Sequence, residues 1–92
     1  MNIEMVRIYL KESEHHVHGI MKILRERKIK HGVALRAIEG EKGSAHLMGV
    51  SLDLPIVIEF FDIPEKVQEV LPKVRELVQE GHIIKHSGEL LS

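Results

Sequence analysis

The sequence predicts an α+β fold in one domain, residues 1–92, with two helices on one face of a four-stranded antiparallel sheet. Four stretches are strand-like, being either alternately apolar and polar or apolar throughout, and two repeat apolar residues at helical spacing. They follow one another as strand, helix, strand, strand, helix, strand. Two right-handed halves of this kind make a ferredoxin-like βαββαβ sandwich.

The first half begins with a strand over residues 5–11, where Val6, Ile8 and Leu10 alternate with more polar positions. A helix follows, because apolar residues then recur at i, i+3, i+4 and i+7: Val17, Ile20, Met21 and Leu24. We expect this helix to end at His31 and Gly32, since glycine suits the position after a helix. The second strand is predicted over residues 33–38.

The second half begins with a strand over residues 55–61. Its helix carries the clearest apolar stripe of the chain: Val67, Val70, Leu71, Val74, Leu77 and Val78. Asp62 or Ile63 is the expected N-cap, because Pro64 disfavours helical geometry at Ile63. Pro72 inside the helix predicts a kink or a short break. We expect Gly81 to end the helix and residues 82–87 to form the last strand.

The third predicted strand is apolar on both faces. Ile56, Ile58 and Phe60 point one way, while Val57 and Phe61 point the other. Strands that are apolar on both sides usually have both sides covered. Covering the second face with a neighbouring copy would contribute on the order of 3–5 kcal/mol per subunit. The pattern therefore predicts a homo-oligomer.

Composition narrows the class of protein. Lys and Arg number 13 against 14 Asp and Glu, so the chain lacks the excess positive charge that nucleic acids and anionic lipids select. It has no cysteine, which fits a reducing compartment. No apolar run approaches the roughly 20 residues that span a bilayer, and the N-terminus does not read as a signal peptide. We expect a cytoplasmic protein without nucleic-acid binding or membrane insertion.

The stretch between the second and third strands, residues 39–54, is sixteen residues long and rich in glycine. Connections above roughly 12–15 residues are usually functional or disordered. Glycine backbone with cationic and hydroxyl side chains can bind a phosphate or another anion. The candidate ligand-binding residues are Arg36, Glu39, Gly40, Lys42, Gly43 and Ser44. The order Lys-Gly-Ser is not that of a Walker loop, and a solvated loop is the alternative.

Three histidines, His15, His16 and His18, cluster where the first helix begins. Imidazole is a common metal ligand, and a zinc or copper site needs three or four converging donors. Adjacent residues of an extended segment point opposite ways, so the three cannot easily bind one ion, and a site shared between subunits with His46, His82 or His86 is left open. Exposed histidines without a metal are the simpler interpretation. No nucleophile, base and orienting group can be assembled from the sequence, which predicts a protein without catalytic activity.

Several blocks resemble a domain-of-unknown-function family described as PII-like signalling proteins. They are residues 7–13 (RIYLKES), 35–40 (LRAIEG), 51–62 (SLDLPIVIEFFD) and 70–81 (VLPKVRELVQEG). The family has an aromatic residue between two glycines where this chain has residues 40–43 (GEKG). The resemblance implies a ferredoxin-like homotrimer in which residues 39–54 correspond to the partner-contacting T-loop. In PII proteins, adenine nucleotides bind in clefts between subunits near the base of that loop.

The leading hypothesis is therefore a regulatory protein without enzymatic activity. An anionic effector, most plausibly an adenine nucleotide, would bind near Arg36 at a subunit cleft and shift the conformations of the 39–54 loop. That shift would alter contact with a transporter or an enzyme. The alternative is a histidine-dependent divalent metal-binding oligomer, similar in fold to the CutA cation-tolerance proteins. A structural adaptor without a ligand is a third hypothesis.

Overall fold

The computed structural model describes residues 1–11, 16–37, 39–40, 43–44, 55–78 and 82–92. Its elements are β1 (Asn2–Lys11), α1 (Val17–Glu26), β2 (His31–Arg36), β3 (Glu39–Gly40), β4 (Gly43–Ser44), β5 (Pro55–Asp62), α2 (Pro64–Leu77) and β6 (His82–Glu89). The main sheet has the order β2-β5-β1-β6, and every neighbouring pair is antiparallel. This confirms the predicted ferredoxin-like sandwich.

The two central strands, β1 and β5, supply the core side of the sheet. Val6 lies opposite Phe60, and Ile8 lies opposite Ile58. Their side chains meet the apolar stripes of both helices, and the buried cluster comprises Val6, Ile8, Leu10, Ile20, Leu24, Ile58, Phe60, Val67, Val70 and Val74. In the described part of the chain, neither helix is long and apolar enough to cross a membrane.

The prediction that α1 runs to His31 and Gly32 was wrong. The helix ends at Glu26, and Lys28 adopts a left-handed backbone with φ 55°. The N–H of Lys28 donates to the carbonyl of Arg25, and the N–H of Ile29 donates to that of Leu24. These two bonds form a Schellman motif, which a search for glycine misses because lysine occupies the left-handed position.

The residue Gly32 instead lies within β2, where it allows α1 to approach the sheet closely. A Cβ atom at this position would lie 3.1 Å from Cδ1 of the buried Leu24 and 3.6 Å from Cβ of Phe60. The glycine that suggested a helix end therefore serves the packing of the helix on the strand.

Helix α2 begins at Pro64, with Ile63 as its extended N-cap. Asp62 does not cap the helix, although its Oδ1 accepts a hydrogen bond from the Ile63 N–H. The helix is continuous across Pro72, so the predicted break is absent, and it ends at Leu77. Gly81, the predicted stop, lies outside the described residues.

Each strand of the main sheet also differs from prediction at one boundary or more, by a single residue in β5, which ends at Asp62. Strand β1 begins at Asn2 rather than residue 5, because it pairs along its length with β6, which itself continues to Glu89. Strand β2 spans His31–Arg36 instead of residues 33–38. Residue 38 lies outside the described part of the chain.

At one end of the molecule, hydrogen bonds join the turn between α1 and β2 to the start of α2, and join the two ends of the chain to each other. Oδ2 of Asp62 accepts a 2.7 Å hydrogen bond from the backbone N–H of Lys30, and Nζ of Lys66 donates to the Lys28 carbonyl at 2.7 Å. The backbone of Leu90 also donates to the Met1 carbonyl at 2.9 Å. We call this the cross-linked end; the segments after β1, β2 and α2 leave from the opposite end of the sheet.

Replacing Lys28 by glycine is expected to stabilise the protein. A residue with a Cβ atom is strained in the left-handed region by about 1–2 kcal/mol, and glycine is not, although glycine gains more freedom on unfolding. We expect a gain of about 1 kcal/mol in the free energy of unfolding, measured by urea denaturation. Lys28→Ala is the control, since it removes the same side chain but keeps the strain. Equal stabilities of the two variants would contradict this interpretation.

The substitution Asp62→Asn is expected to destabilise the fold without changing side-chain size. Asp62 is buried, with 4% of its surface exposed, and its two oxygens each accept a backbone N–H. The amide has one acceptor oxygen, so its NH₂ group must face an N–H donor. The expected loss is about 1–3 kcal/mol in chemical denaturation. Glu76→Gln, at an exposed position of α2, is the control and should change stability little.

Candidate functional site

The predicted ligand-binding residue Arg36 is the last residue of β2. It lies opposite Ile56 in β5 and is exposed at the end of the sheet from which residues 37–54 depart. This end is remote from the cross-linked end, where β5 finishes at Asp62. The fold therefore places Arg36 at the base of the long connection, as the sequence predicts.

Four of the other predicted ligand residues are brought together by a small sheet. Glu39 lies opposite Ser44, and Gly40 lies opposite Gly43, in the antiparallel pair formed by β3 and β4. Lys42 lies outside the described residues. An antiparallel backbone pair of this kind returns the chain to its starting point within six residues. The role of these residues in binding an anion remains a prediction.

The sheet face opposite the helices, here called the open face, is built of three cross-strand rows. Alternate residues of a strand share a face, so the register defines the rows. In the order β2, β5, β1, β6 they are His31, Phe61, Met5 and His86; then Val33, Glu59, Arg7 and Ile84; then Leu35, Val57, Tyr9 and His82. Apart from one ion pair and the three histidines, the face is largely apolar.

That ion pair occupies the middle row. Nε of Arg7 donates a 2.9 Å hydrogen bond to Oε2 of Glu59, and both side chains are about one-third exposed. The hydrogen bond and the charge of Glu59 raise the pKa of Arg7, and Tyr9 adds to the same effect. Because a raised pKa favours the protonated form, the contribution of Arg7 to stability is present at neutral pH and is lost as the pH rises through the raised pKa.

The apolar residues at the edges of the open face are strongly exposed. Leu35 on β2 is 52% exposed and Ile84 on β6 is 46% exposed. The ring of His31 stacks on that of Phe61, with centroids 4.9 Å apart. Sequence reasoning chose Val57 and Phe61 for this face but missed Leu35, Ile84 and the ion pair. Their positions depend on the strand register, which pairs residues far apart in the chain.

The histidines of the alternative metal site are only partly described. His16 is the N-cap residue of α1, without a side-chain capping bond, and His18 is exposed on the first turn. His15 and His46 lie outside the described residues. Among the residues that the structure does describe, no group of three or more His, Cys, Asp or Glu side chains could hold a metal ion. His82 and His86 belong to the open face instead.

The βαββαβ order and the two helices on one sheet face define a ferredoxin-like α+β protein. The chain belongs to the DUF190 family, described as Uncharacterized ACR, COG1993, which it matches over residues 3–90. The expected membership of a PII-like family is thus confirmed.

One curated relative is the UPF0166 protein MJ1524 of Methanocaldococcus jannaschii. It is 32% identical to this chain over 90 residues, which cover 88% of this chain and 83% of the relative. Its name states no activity, so this similarity supports the family without adding a reaction.

Solved structures with the same fold include CPII, a nitrogen regulatory PII-like protein from Thiomonas intermedia K12. Its apo form matches with a TM-score of 0.70 at 15% identity, covering 98% of this chain and 92% of CPII. CPII bound to ADP, AMP and acetate matches with a TM-score of 0.68 at 17% identity, covering 99% and 90%. A putative PII-like signaling protein from Thermus thermophilus has a TM-score of 0.64 at 12% identity, covering 96% and 86%.

Proposed function

We propose that this protein is a PII-like regulator that binds an adenine nucleotide at clefts between the subunits of a homotrimer. The nucleotide lies near Arg36 and the base of the 39–54 connection, with Glu39, Gly40, Lys42, Gly43 and Ser44 around its phosphates. The connection then contacts a partner protein, a transporter or an enzyme. The protein acts by this contact and catalyses no reaction.

The observation that carries the proposal is the PII-like fold shared with CPII, a protein solved with ADP and AMP. Within this chain, Arg36 supplies positive charge at the end of the sheet where the long connection begins. Arginine binds phosphate through paired hydrogen bonds. A ligand there that favours one conformation of the connection shifts its population, which is how a small molecule alters a partner contact.

The open face supports the assembly. Leu35, Val57, Phe61 and Ile84 share one side of the sheet, away from the core that the helices cover. Exposed apolar side chains that are grouped on one face of a sheet favour an interface. Two further copies of the chain, each contributing its own open face to a central contact, would bury it. Each subunit would then present its Arg36 end beside a neighbour.

Placing an aspartate on the open face is expected to dissociate the trimer. Leu35→Asp introduces a charge at a side chain that is 52% exposed in the single chain, so the monomer fold should survive. The trimer should be destabilised, because the interface would bury the carboxylate away from water. Sedimentation should give three times the 10.5 kDa chain mass for the natural protein and the chain mass for the variant.

The matched control is Leu91→Asp, since Leu91 is 85% exposed and lies beyond the sheet. It should remain trimeric. A natural protein that sediments as a monomer at micromolar concentration would refute the assembly, and a trimer unaffected by Leu35→Asp would show that another surface forms it.

Nucleotide binding is tested by calorimetry with ATP, ADP, AMP and cyclic AMP. We expect one of them to bind, and Arg36→Ala to weaken it by roughly 10- to 100-fold, because a hydrogen bond to a charged group contributes about 1.5–3 kcal/mol. Arg25→Ala, at an exposed arginine of α1, is the control and should bind normally. The absence of heat with all four nucleotides would contradict the proposal.

A further inference from the structure

A groove lies on the helix side of the sheet, between α2 and the edge strand β6. It encloses about 570 Å³ and is lined by Leu71, Arg75, Val78, Ile83 and Lys85. Binding sites for small molecules typically measure about 300–1,000 Å³ and combine an apolar lining with a few polar groups. This groove falls within that range of size and is open to solvent, and its lining combines three apolar with two cationic side chains.

The groove follows from the way the helices cover the sheet. Helix α2 packs mainly on β1 and β5, and α1 packs on β2, so the inner side of the edge strand β6 is only partly covered. Leu71 and Arg75 lie one turn apart on α2, and Val78 follows the helix as its extended C-cap residue. Ile83 and Lys85, two residues apart, share one side of β6. Helix and strand thus contribute opposite walls with the same mixture of apolar and cationic groups.

The charge of the groove is fixed by a buried carboxylate beneath it. Glu4 is 9% exposed, and its Oε2 lies 3.2 Å from Nζ of Lys85. Among the described residues this oxygen accepts no hydrogen bond of good geometry. The ammonium group of Lys85 is therefore held by charge, and its three N–H groups can donate to a ligand. In the part of the chain that the structure describes, Glu4 offsets the charge of Lys85, which leaves Arg75 as the lining cation without a carboxylate partner.

We propose that this groove binds an apolar monocarboxylate. The carboxylate pairs with the guanidinium of Arg75, whose planar donors suit two carboxylate oxygens, and accepts a hydrogen bond from Lys85. The apolar tail lies on Leu71, Val78 and Ile83. The groove is on β6, whereas the proposed nucleotide site is at β2, the opposite edge of the same sheet. This inference therefore stands apart from the proposed function.

The test is an NMR titration of the isotopically labelled protein with hexanoate, read at the methyl groups of Leu71, Val78 and Ile83. We expect saturable shifts confined to this groove. Two probes separate the contributions of tail and charge: acetate carries the charge without the tail, and hexan-1-ol carries the tail without the charge. Both should bind at least tenfold more weakly than hexanoate.

The variant Arg75→Gln should weaken hexanoate binding at least tenfold. Lys73→Gln is its matched control, because Lys73 is an exposed cation of the same helix outside the groove, and its affinity should stay within twofold of the natural protein. Lys85→Gln alone leaves Glu4 buried without a cation and risks unfolding. The double variant Glu4→Gln/Lys85→Gln removes both charges together, and we expect it to fold and to bind hexanoate as weakly as Arg75→Gln does.

Two results would overturn the inference: no saturable shift with hexanoate, or binding that hexan-1-ol reproduces and Arg75→Gln leaves unchanged. The second result would mark an apolar contact without recognition of the carboxylate. A parallel calorimetric titration with ADP separates this site from the nucleotide site. Arg36→Ala should weaken ADP binding and leave hexanoate binding intact, while Arg75→Gln should do the reverse, so either site can fail without the other.

Discussion

The antiparallel ladder between β1 and β5 is the constraint on which the rest of the structure depends. Eight residue pairs, from Glu4 opposite Asp62 to Lys11 opposite Pro55, fix which side chains share a face. Because both strands carry apolar residues on both sides, the ladder requires two covers. The helices provide one, over Val6, Ile8, Ile58 and Phe60. The other side, around Val57 and Phe61, has no cover from helices in the described part of the chain, and the assembly that we propose would supply one.

The ion pair between Arg7 and Glu59 would limit the orientations in which another copy can pack on this side of the sheet. A wholly apolar sheet face can meet another copy in many orientations, whereas a charged pair must keep its hydrogen bond or gain new ones as water leaves. The 2.9 Å bond already joins two neighbouring strands. An interface that buries it must therefore place polar atoms near it or leave it at the margin. We interpret the pair as a determinant of orientation more than of affinity.

The order of elements was predictable from the sequence because apolar periodicity reports burial directly. The roles of individual residues at the ends of elements were less predictable from the sequence. Gly32 looked like the end of α1 but makes room for Leu24, while the actual end relies on Lys28 in a conformation that lysine rarely adopts. The candidate site shows the same division. The sequence placed Arg36 near the base of the long connection, although the predicted strand continued to residue 38 and the observed strand ends at Arg36. The groove beside Lys85 depends on long-range register and on how far α2 covers the sheet.

The cross-linked end has a consequence for how the molecule can respond to a ligand. Asp62 holds the turn after α1 to the start of α2, and the Met1 and Leu90 backbones close the same end. Both the nucleotide cleft and the partner-contacting connection that we propose begin at the other end, beyond Arg36. A rearrangement there can proceed without breaking any of these bonds. Ligand binding at the proposed site would therefore leave the packing of α1 and α2 at the cross-linked end intact.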